Sequence, residues 1–390
     1  MSRDARHELL VVGGGPAALA ALRAFRAAGG EGRASLITDE HRMPYMRPAV
    51  SKALLRGELS EQDVALHEDR ELGEMGIELI SGRAVGLDPA AHTVMLSGGR
   101  ECSYRRCLLA TGAEPVRLPV DGVEDPAVRT LRSIDDLREL RARLSAGMPV
   151  VIIGSGFIGC EIAASLRSLG HPVTVCSQES APNVARIGDQ AAAAIAGWLQ
   201  ETGTELRLGA EVRSVSRSGG QLAVHTDAGT AVGGLVVMAA GVSPRAELAA
   251  LAGLALEQRA IPTDERMRTG LPDVLAAGDV ARAQNATAGR RLRIEHWGDA
   301  LAQGQVAGQT AAGEGARWTS VPGFWTQIGD HTLKYAGWGD GFDEIRLDAD
   351  AAGFTAWYRG GDRITGVLTH GHDDDYEQGR ELVAAGAPWR

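Results

Sequence analysis

Two glycine fingerprints of the kind that seat a dinucleotide lie in one chain of 390 residues, and they limit its fold more than any other feature. The first is Gly13-Gly14-Gly15-Pro16-Ala17-Ala18, behind the apolar run Leu9-Leu10-Val11-Val12. The second is Gly154-Ser155-Gly156-Phe157-Ile158-Gly159, behind Val150-Val151-Ile152-Ile153. Each reads as strand, tight turn and helix. Gly13 and Gly154 make the turn, and Gly15 and Gly156 let backbone approach a pyrophosphate. Ala18 and Gly159 are small, so that helix and strand can pack. The phosphates then meet N–H groups at the positive end of a helix. One such motif is a weak signal, whereas two imply two bound dinucleotides, as when a nicotinamide feeds a flavin.

The parts that follow each fingerprint repeat in order. In the first half a helix (Ala17 to Ala28) leads to a strand (Ala34 to Ile37). A hairpin around Gly98-Gly99 comes next, then a strand (Cys107 to Ala110) ending at Thr111-Gly112. In the second half a helix (Ile158 to Leu169) leads to a strand (Val173 to Cys176). A hairpin around Asp227-Ala228-Gly229 follows, then a strand (Leu235 to Ala239) ending at Gly241. We read a duplicated nucleotide-binding domain with parallel sheets and helices on both faces. A third region begins near Thr319. Five strand-like stretches, from Phe324 to Thr369, alternate with Gly/Asp turns, and a helix follows from Asp374 to Ala385. This predicts a small antiparallel sheet plus helix.

The length suits two or three domains. The apolar runs are too short to span a membrane. Met1 to Glu8 is polar and leaves no room for a signal peptide, so a cytoplasmic protein is expected. The formal charge of −10 argues against nucleic-acid and membrane-surface binding. The four cysteines, Cys102, Cys107, Cys160 and Cys176, form no C-x-x-C pair, which argues against a disulfide scaffold.

Asp39 follows the second strand of the first half, where an acid takes the ribose hydroxyls of an adenosine; the alternative is a plain surface carboxylate. Pro44-Tyr45-Met46-Arg47-Pro48-Ala49-Val50-Ser51-Lys52 is stiffened by its prolines and presents Arg47 and Lys52. With Leu109-Ala110-Thr111-Gly112-Ala113 and Ala276-Ala277-Gly278-Asp279-Val280, the chain resembles the ferredoxin reductase-like family of FAD- and NAD(P)H-dependent oxidoreductases. Arg293-Ile294-Glu295-His296 adds a particular likeness to flavoproteins of the apoptosis-inducing factor type. Two departures stand out. Ala49-Val50 occurs where the family usually has Pro and Leu, and Glu295-His296-Trp297-Gly298 differs from the family's usual forms.

The resemblance implies an α/β fold of two doubly wound dinucleotide-binding domains, glutathione reductase-like, plus a small α+β C-terminal domain. Residues 1–114 and 242–318 would bind FAD, 115–241 would bind NAD(H), and 319–390 would form the C-terminal domain. Asp39, Arg47, Arg132 and Asp279 would hold FAD, together with Ala110, Thr111 and Gly112. A helix after Asp279 would point its N-terminus at the flavin. Lys52 and Glu161 would meet beside the flavin edge, the carboxylate offsetting the cost of a buried lysine. The alternative for Glu161 is a solvated helix position. Phe157 and Ile158 open the second helix, where Phe157 stacks on the nicotinamide or fills core. Glu179 would accept from the NADH ribose and repel the extra phosphate of NADPH. Glu295, His296 and Trp297 would approach the nicotinamide end, and Trp325 would close over the flavin; either tryptophan could instead be core.

The function implied is an NADH:acceptor oxidoreductase, hydride passing from NADH to FAD and electrons on to a ferredoxin or other small redox protein. The resemblance also leaves room for a homodimer and for a second reading, a slow flavoprotein that changes partners when NADH binds. A disulfide reductase is disfavoured because Asp39 to Arg70 holds no cysteine. His370-Gly371-His372-Asp373-Asp374-Asp375 resembles a metal-ligand run but reads better as a strand end, then acids at a helix N-terminus. The arginines from Arg129 to Arg143, Arg132 apart, read as a solvated helix face, with docking of an acidic partner the alternative.

Overall fold

The computed structural model describes residues 6–40, 42–66 and 69–389; of the polar stretch Met1 to Glu8, residues 1–5 lie outside it. The described chain divides into two compact units. One holds 1–46, 65–114 and 243–324, the other 47–64, 115–242 and 325–390.

In the first unit the strand His7–Val12 lies between Ala34–Thr38 and Glu101–Leu109, parallel to both. Ile77–Ser81 extends the sheet beyond Ala34–Thr38. The strands are apolar because they are covered: Leu9, Leu10, Val11, Leu36 and Leu108 have no exposed surface. Glu101–Leu109 serves two neighbours. Its first half pairs antiparallel with Thr93–Leu96 through the Gly98-Gly99 turn, and its second half pairs parallel with Val274–Ala276. The Pro16–Ala27 helix packs along the Trp297–Ala312 helix, where Gly304 and Gly308 leave room for the Ala17 and Ala21 carbonyls.

The second unit repeats the core. Its parallel strands run in the order Glu205–Arg207, Val173–Cys176, Val150–Ile153, Leu235–Met238, Val128–Arg129. The hairpin read around Asp227-Ala228-Gly229 joins Gln221–Thr226 to Gly229–Gly233. The C-terminal strands order as Gly323–Ile328, His331–Gly337, Arg363–His370, Phe354–Gly360, Glu344–Ala349, and the Asp373–Ala384 helix lies against them. Trp198 stacks on His331 with centroids 4.4 Å apart, and Tyr358 Oη donates to the Ile187 carbonyl at 3.0 Å. These contacts seat the C-terminal sheet on the helical layer around Ile187 and Trp198.

The architecture is the α/β arrangement expected. One element is displaced: no helix directly follows Asp279. Ala281–Asn285 is a strand, and a tight turn at Gly289 (φ +66°) returns the chain along Arg290–Arg293. Turn chemistry and alternating burial win here over the family expectation. The helix starts later, at Trp297. Among the described residues, no helix is long and apolar enough to cross a membrane.

Candidate active site

The two fingerprints are built alike. Gly13 has φ +117° and Gly154 φ +108°, backbone that side chains other than glycine rarely adopt. A Cβ at Gly13 would stand 2.1 Å from the Ala110 carbonyl oxygen, and one at Gly154 2.4 Å from that of Ala239. Each turn is thus pressed against the end of the last strand of its own half. Gly159 is needed for a related reason, since its Cβ would meet the Gly154 carbonyl oxygen at 2.2 Å. Ala18 is wholly buried at the matching place.

Gly15 and Gly156 cap their helices with extended backbone and make no side-chain cap bond. No acid lies in either first turn. Space opens in front of Gly15, and a Cβ on Gly156 would find only Asn183 Oδ1, at 4.0 Å. A helix start with no capping side chain, no acid and a clear approach suits a phosphate, which the first-turn N–H groups face. The chemistry of these two donor sets therefore fits the phosphates of FAD and NADH.

Asp39 stands exposed just past Ala34–Thr38. Thr111 Oγ1 donates to the Arg245 carbonyl at 2.6 Å, holding the strand end, while Gly112 and Gly241 take positive φ with open space before them. Asp279 is half-buried in the turn that precedes Ala281–Asn285. Arg47 Nη1 donates to the Arg132 carbonyl at 3.0 Å, so these two expected ligands sit together.

Lys52 and Glu161 meet. Lys52 Nζ lies 2.8 Å from Glu161 Oε2, and both residues are 5% exposed. Glu161 is therefore no solvated helix residue. Burying two charges is costly unless the remaining lone pairs are satisfied. Ser51 Oγ donates to Oε2 at 2.5 Å and Thr326 Oγ1 to Oε1 at 2.7 Å. One turn along the Phe157–Ser168 helix, Ser165 Oγ donates to the Ser51 carbonyl at 2.8 Å. Positions 161 and 165 share one helix face, so that face grips the segment carrying Lys52 twice. From the other side Arg141 donates to the Leu54 and Leu55 carbonyls, and Arg138 clamps Glu61 with two bonds of 2.7 Å. Arg138 and Arg141 are exposed as expected, but they brace this segment as well. Trp325 is 49% exposed, which excludes an ordinary core role, and its ring lies over Lys52 Nζ, 5.1 Å to the centroid. The sequence reading missed Ser51 and Thr326; each is the chain neighbour of a residue it singled out.

Glu179 follows Val173–Cys176. Its Oε2 accepts from the Asn183 N–H at 3.3 Å and lies 3.3 Å from Ser155 Oγ, which is itself 2.8 Å from Ser177 Oγ. The carboxylate is thereby tied to the second fingerprint. Phe157 is half-buried and Ile158 is 38% exposed, so neither is core. In the other unit Glu295 is paired with Arg293 Nη2 at 2.5 Å. His296 starts the Trp297–Ala312 helix with Nδ1 3.4 Å from Asp299 Oδ2, and meets Phe324 edge-on at 4.9 Å. Trp297 is half-buried.

The His370–Asp375 run is spent on packing. His370 Nδ1 donates to the Thr332 carbonyl at 3.0 Å, His372 pairs with Asp350, and Asp373, Asp374 and Asp375 open a helix. The four cysteines are buried thiols. Burial pushes the Cys107 thiol up to about 12 and the Cys176 thiol up to about 11, and raises Cys160 as well. Thiols held protonated in apolar surroundings are poor nucleophiles. Replacing all four by alanine is expected to leave the rate of NADH-dependent reduction unchanged within about twofold. Stopped-flow absorbance checks this, and a folded variant that loses the reaction would restore a thiol mechanism.

With the geometry in place, the similarities are direct. Residues 7–304 match the pyridine nucleotide-disulphide oxidoreductase family and residues 323–390 the reductase C-terminal family. The chain belongs to the pyridine nucleotide-disulphide oxidoreductases, in the ferredoxin reductase-like branch that its motifs indicated. It is 31% identical to putidaredoxin reductase CamA of Pseudomonas putida, over 99% of this chain and 93% of that protein. It is 30% identical to apoptosis-inducing factor 3 of Homo sapiens over 97% of this chain, and spans only 63% of that longer relative. A solved covalent putidaredoxin reductase–putidaredoxin complex matches with a TM-score of 0.92 at 29% identity, over 97% of this chain and 93% of that one.

Proposed function

We propose that the protein is an FAD-dependent NADH:acceptor oxidoreductase whose electrons leave to a ferredoxin-type iron–sulfur protein. The observation that carries this reading is the repeated fingerprint, each copy ending in a helix start with no capping side chain, no acid in its first turn and a clear approach. When bound, FAD supplies a carrier that takes two electrons from a nicotinamide and releases them singly. Residues 1–114 and 242–318 hold FAD, with Gly13, Gly15 and Asp39 on the adenosine side and Asp279, Arg47 and Arg132 as further ligands. Residues 115–241 hold NADH on Gly154, Gly156 and Gly159, with Glu179 at the ribose. The 319–390 domain contributes Trp325. Lys52 would set an ammonium beside the reduced cofactor, while Glu161 offsets the cost of burying that charge.

The name putidaredoxin reductase, carried by a relative matched along nearly its whole length, supports a small iron–sulfur acceptor. Cofactor release and mass measurement should give FAD, and stopped-flow reduction by NADH followed by mixing with a ferredoxin should be fast. Release of FMN, or a colourless protein that cannot be reconstituted, would sink the reading.

Glu179→Arg is expected to move preference toward NADPH by roughly ten- to a hundredfold. The change removes a repelling carboxylate and adds a guanidinium, a charge-assisted contact of about 1.5–3 kcal/mol. The ratio of kcat/KM for the two nucleotides measures it. A wild type that already uses NADPH equally well would refute the role given to Glu179.

A further inference from the structure

The Glu161 carboxylate is occupied at both oxygens, by donors from two different parts of the chain. Oε2 takes Ser51 Oγ and faces Lys52 Nζ, while Oε1 takes Thr326 Oγ1. Ser51, Lys52, Glu161 and Thr326 are all more than nine-tenths buried. One residue back along its strand, Trp325 is 49% exposed and spreads its ring over Lys52 Nζ. The contacts close a ring: Glu161 to Thr326, along the chain to Trp325, across to Lys52, and back to Glu161.

A half-exposed indole has less packing than a core ring to fix its rotamer. Its direction comes from the backbone beside it and from the cation beneath it. Both lead back to one carboxylate. We propose that Thr326 is a positioning residue that sets Trp325 over Lys52, so that Glu161 anchors the tryptophan as well as the lysine. This rests on the flavin reading for its kinetic consequence but not for its geometry. Thr326→Val keeps the shape and removes the donor; Thr326→Ser keeps the donor and loses a methyl group. The first strands a buried carboxylate oxygen, whereas the second does not.

The test is fluorine NMR of the purified protein labelled with 5-fluorotryptophan, the Trp325 line being assigned with Trp325→Phe. Thr326→Val should shift and broaden that line and slow electron delivery to a ferredoxin about tenfold, with KM for NADH unchanged within about twofold. Thr326→Ser should restore both the line and the rate. Lys52→Gln supplies a second arm that leaves Thr326 in place: it should move the same line, and its effect should not add to that of Thr326→Val. An unmoved Trp325 line in Thr326→Val, a Thr326→Ser variant that behaves like Thr326→Val, or additive effects would each overturn the proposal. Should Thr326→Val fail to fold, an unmoved line in Lys52→Gln overturns it alone. A protein without flavin would remove the function proposed above, while the fluorine lines would still decide the coupling.

Discussion

Glu161→Ala will destabilise the folded protein by about 3–5 kcal/mol, the scale seen when one partner of a buried ion pair is removed. The single change leaves three donors facing a void: the Lys52 ammonium and the Ser51 and Thr326 hydroxyls. Lys52 is only 5% exposed, so water cannot readily replace the lost carboxylate. The double variant Lys52→Met/Glu161→Gln should regain most of the lost stability, because it has no charge and its amide still accepts from a hydroxyl. It should not regain electron transfer. Calorimetric unfolding of the parent and both variants separates these outcomes. A Glu161→Ala protein as stable as its parent would show that the lysine reaches solvent.

Gly308→Ala will also destabilise, against the usual expectation for a helix interior. Alanine there should gain up to about 1 kcal/mol of helix propensity. The new Cβ, however, would stand 2.1 Å from the Ala21 carbonyl oxygen and 2.9 Å from the Phe25 nitrogen, both backbone atoms of the facing helix. Backbone cannot swing away as a side chain can, so the helices must part. Overpacking of this kind costs about 1–3 kcal/mol or more, and the loss of close packing over the neighbouring turns adds to it. We expect a fall in unfolding midpoint of roughly 4–10 °C and faster cofactor loss on heating. Gly304→Ala, whose Cβ would meet the Ala17 oxygen at 2.2 Å, should behave alike. Gly197, with nothing within 4 Å of its Cβ, is the control and should tolerate alanine.

Much of this was legible in the chain because it is local. A fingerprint declares its turn, its helix start and its small third position within six residues, and doing so twice declares the duplication. The C-terminal strands could be read from alternation and Gly/Asp turns. What escaped the sequence is contact between distant residues. Ser51 and Glu161 are 110 residues apart, and Thr326 and Glu161 are 165 apart; no periodicity links them. Gly304 and Gly308 look like helix weaknesses until the facing carbonyls are seen. The helix expected after Asp279 failed for the opposite reason, since analogy outweighed the turn residues that were there to be read. Pairing of Lys52 with Glu161 came from resemblance, and geometry supplied the hydroxyls that make it tenable.

The order in which the chain is made gives the Lys52 cage a further meaning. Residues 47–64 fold with 115–242 and 325–390, yet they leave the ribosome long before either. Lys52 must wait through more than a hundred residues for Glu161, and Glu161 through 165 for Thr326. Such non-local closure makes folding slow and leaves a growing chain exposed to wrong pairings. The last hydroxyl arrives with the first strand of the final domain, so a chain released early lacks a donor at the centre of its second unit. A chain truncated before Thr326 should be more sensitive to proteolysis than the full chain, which limited digestion of the two measures.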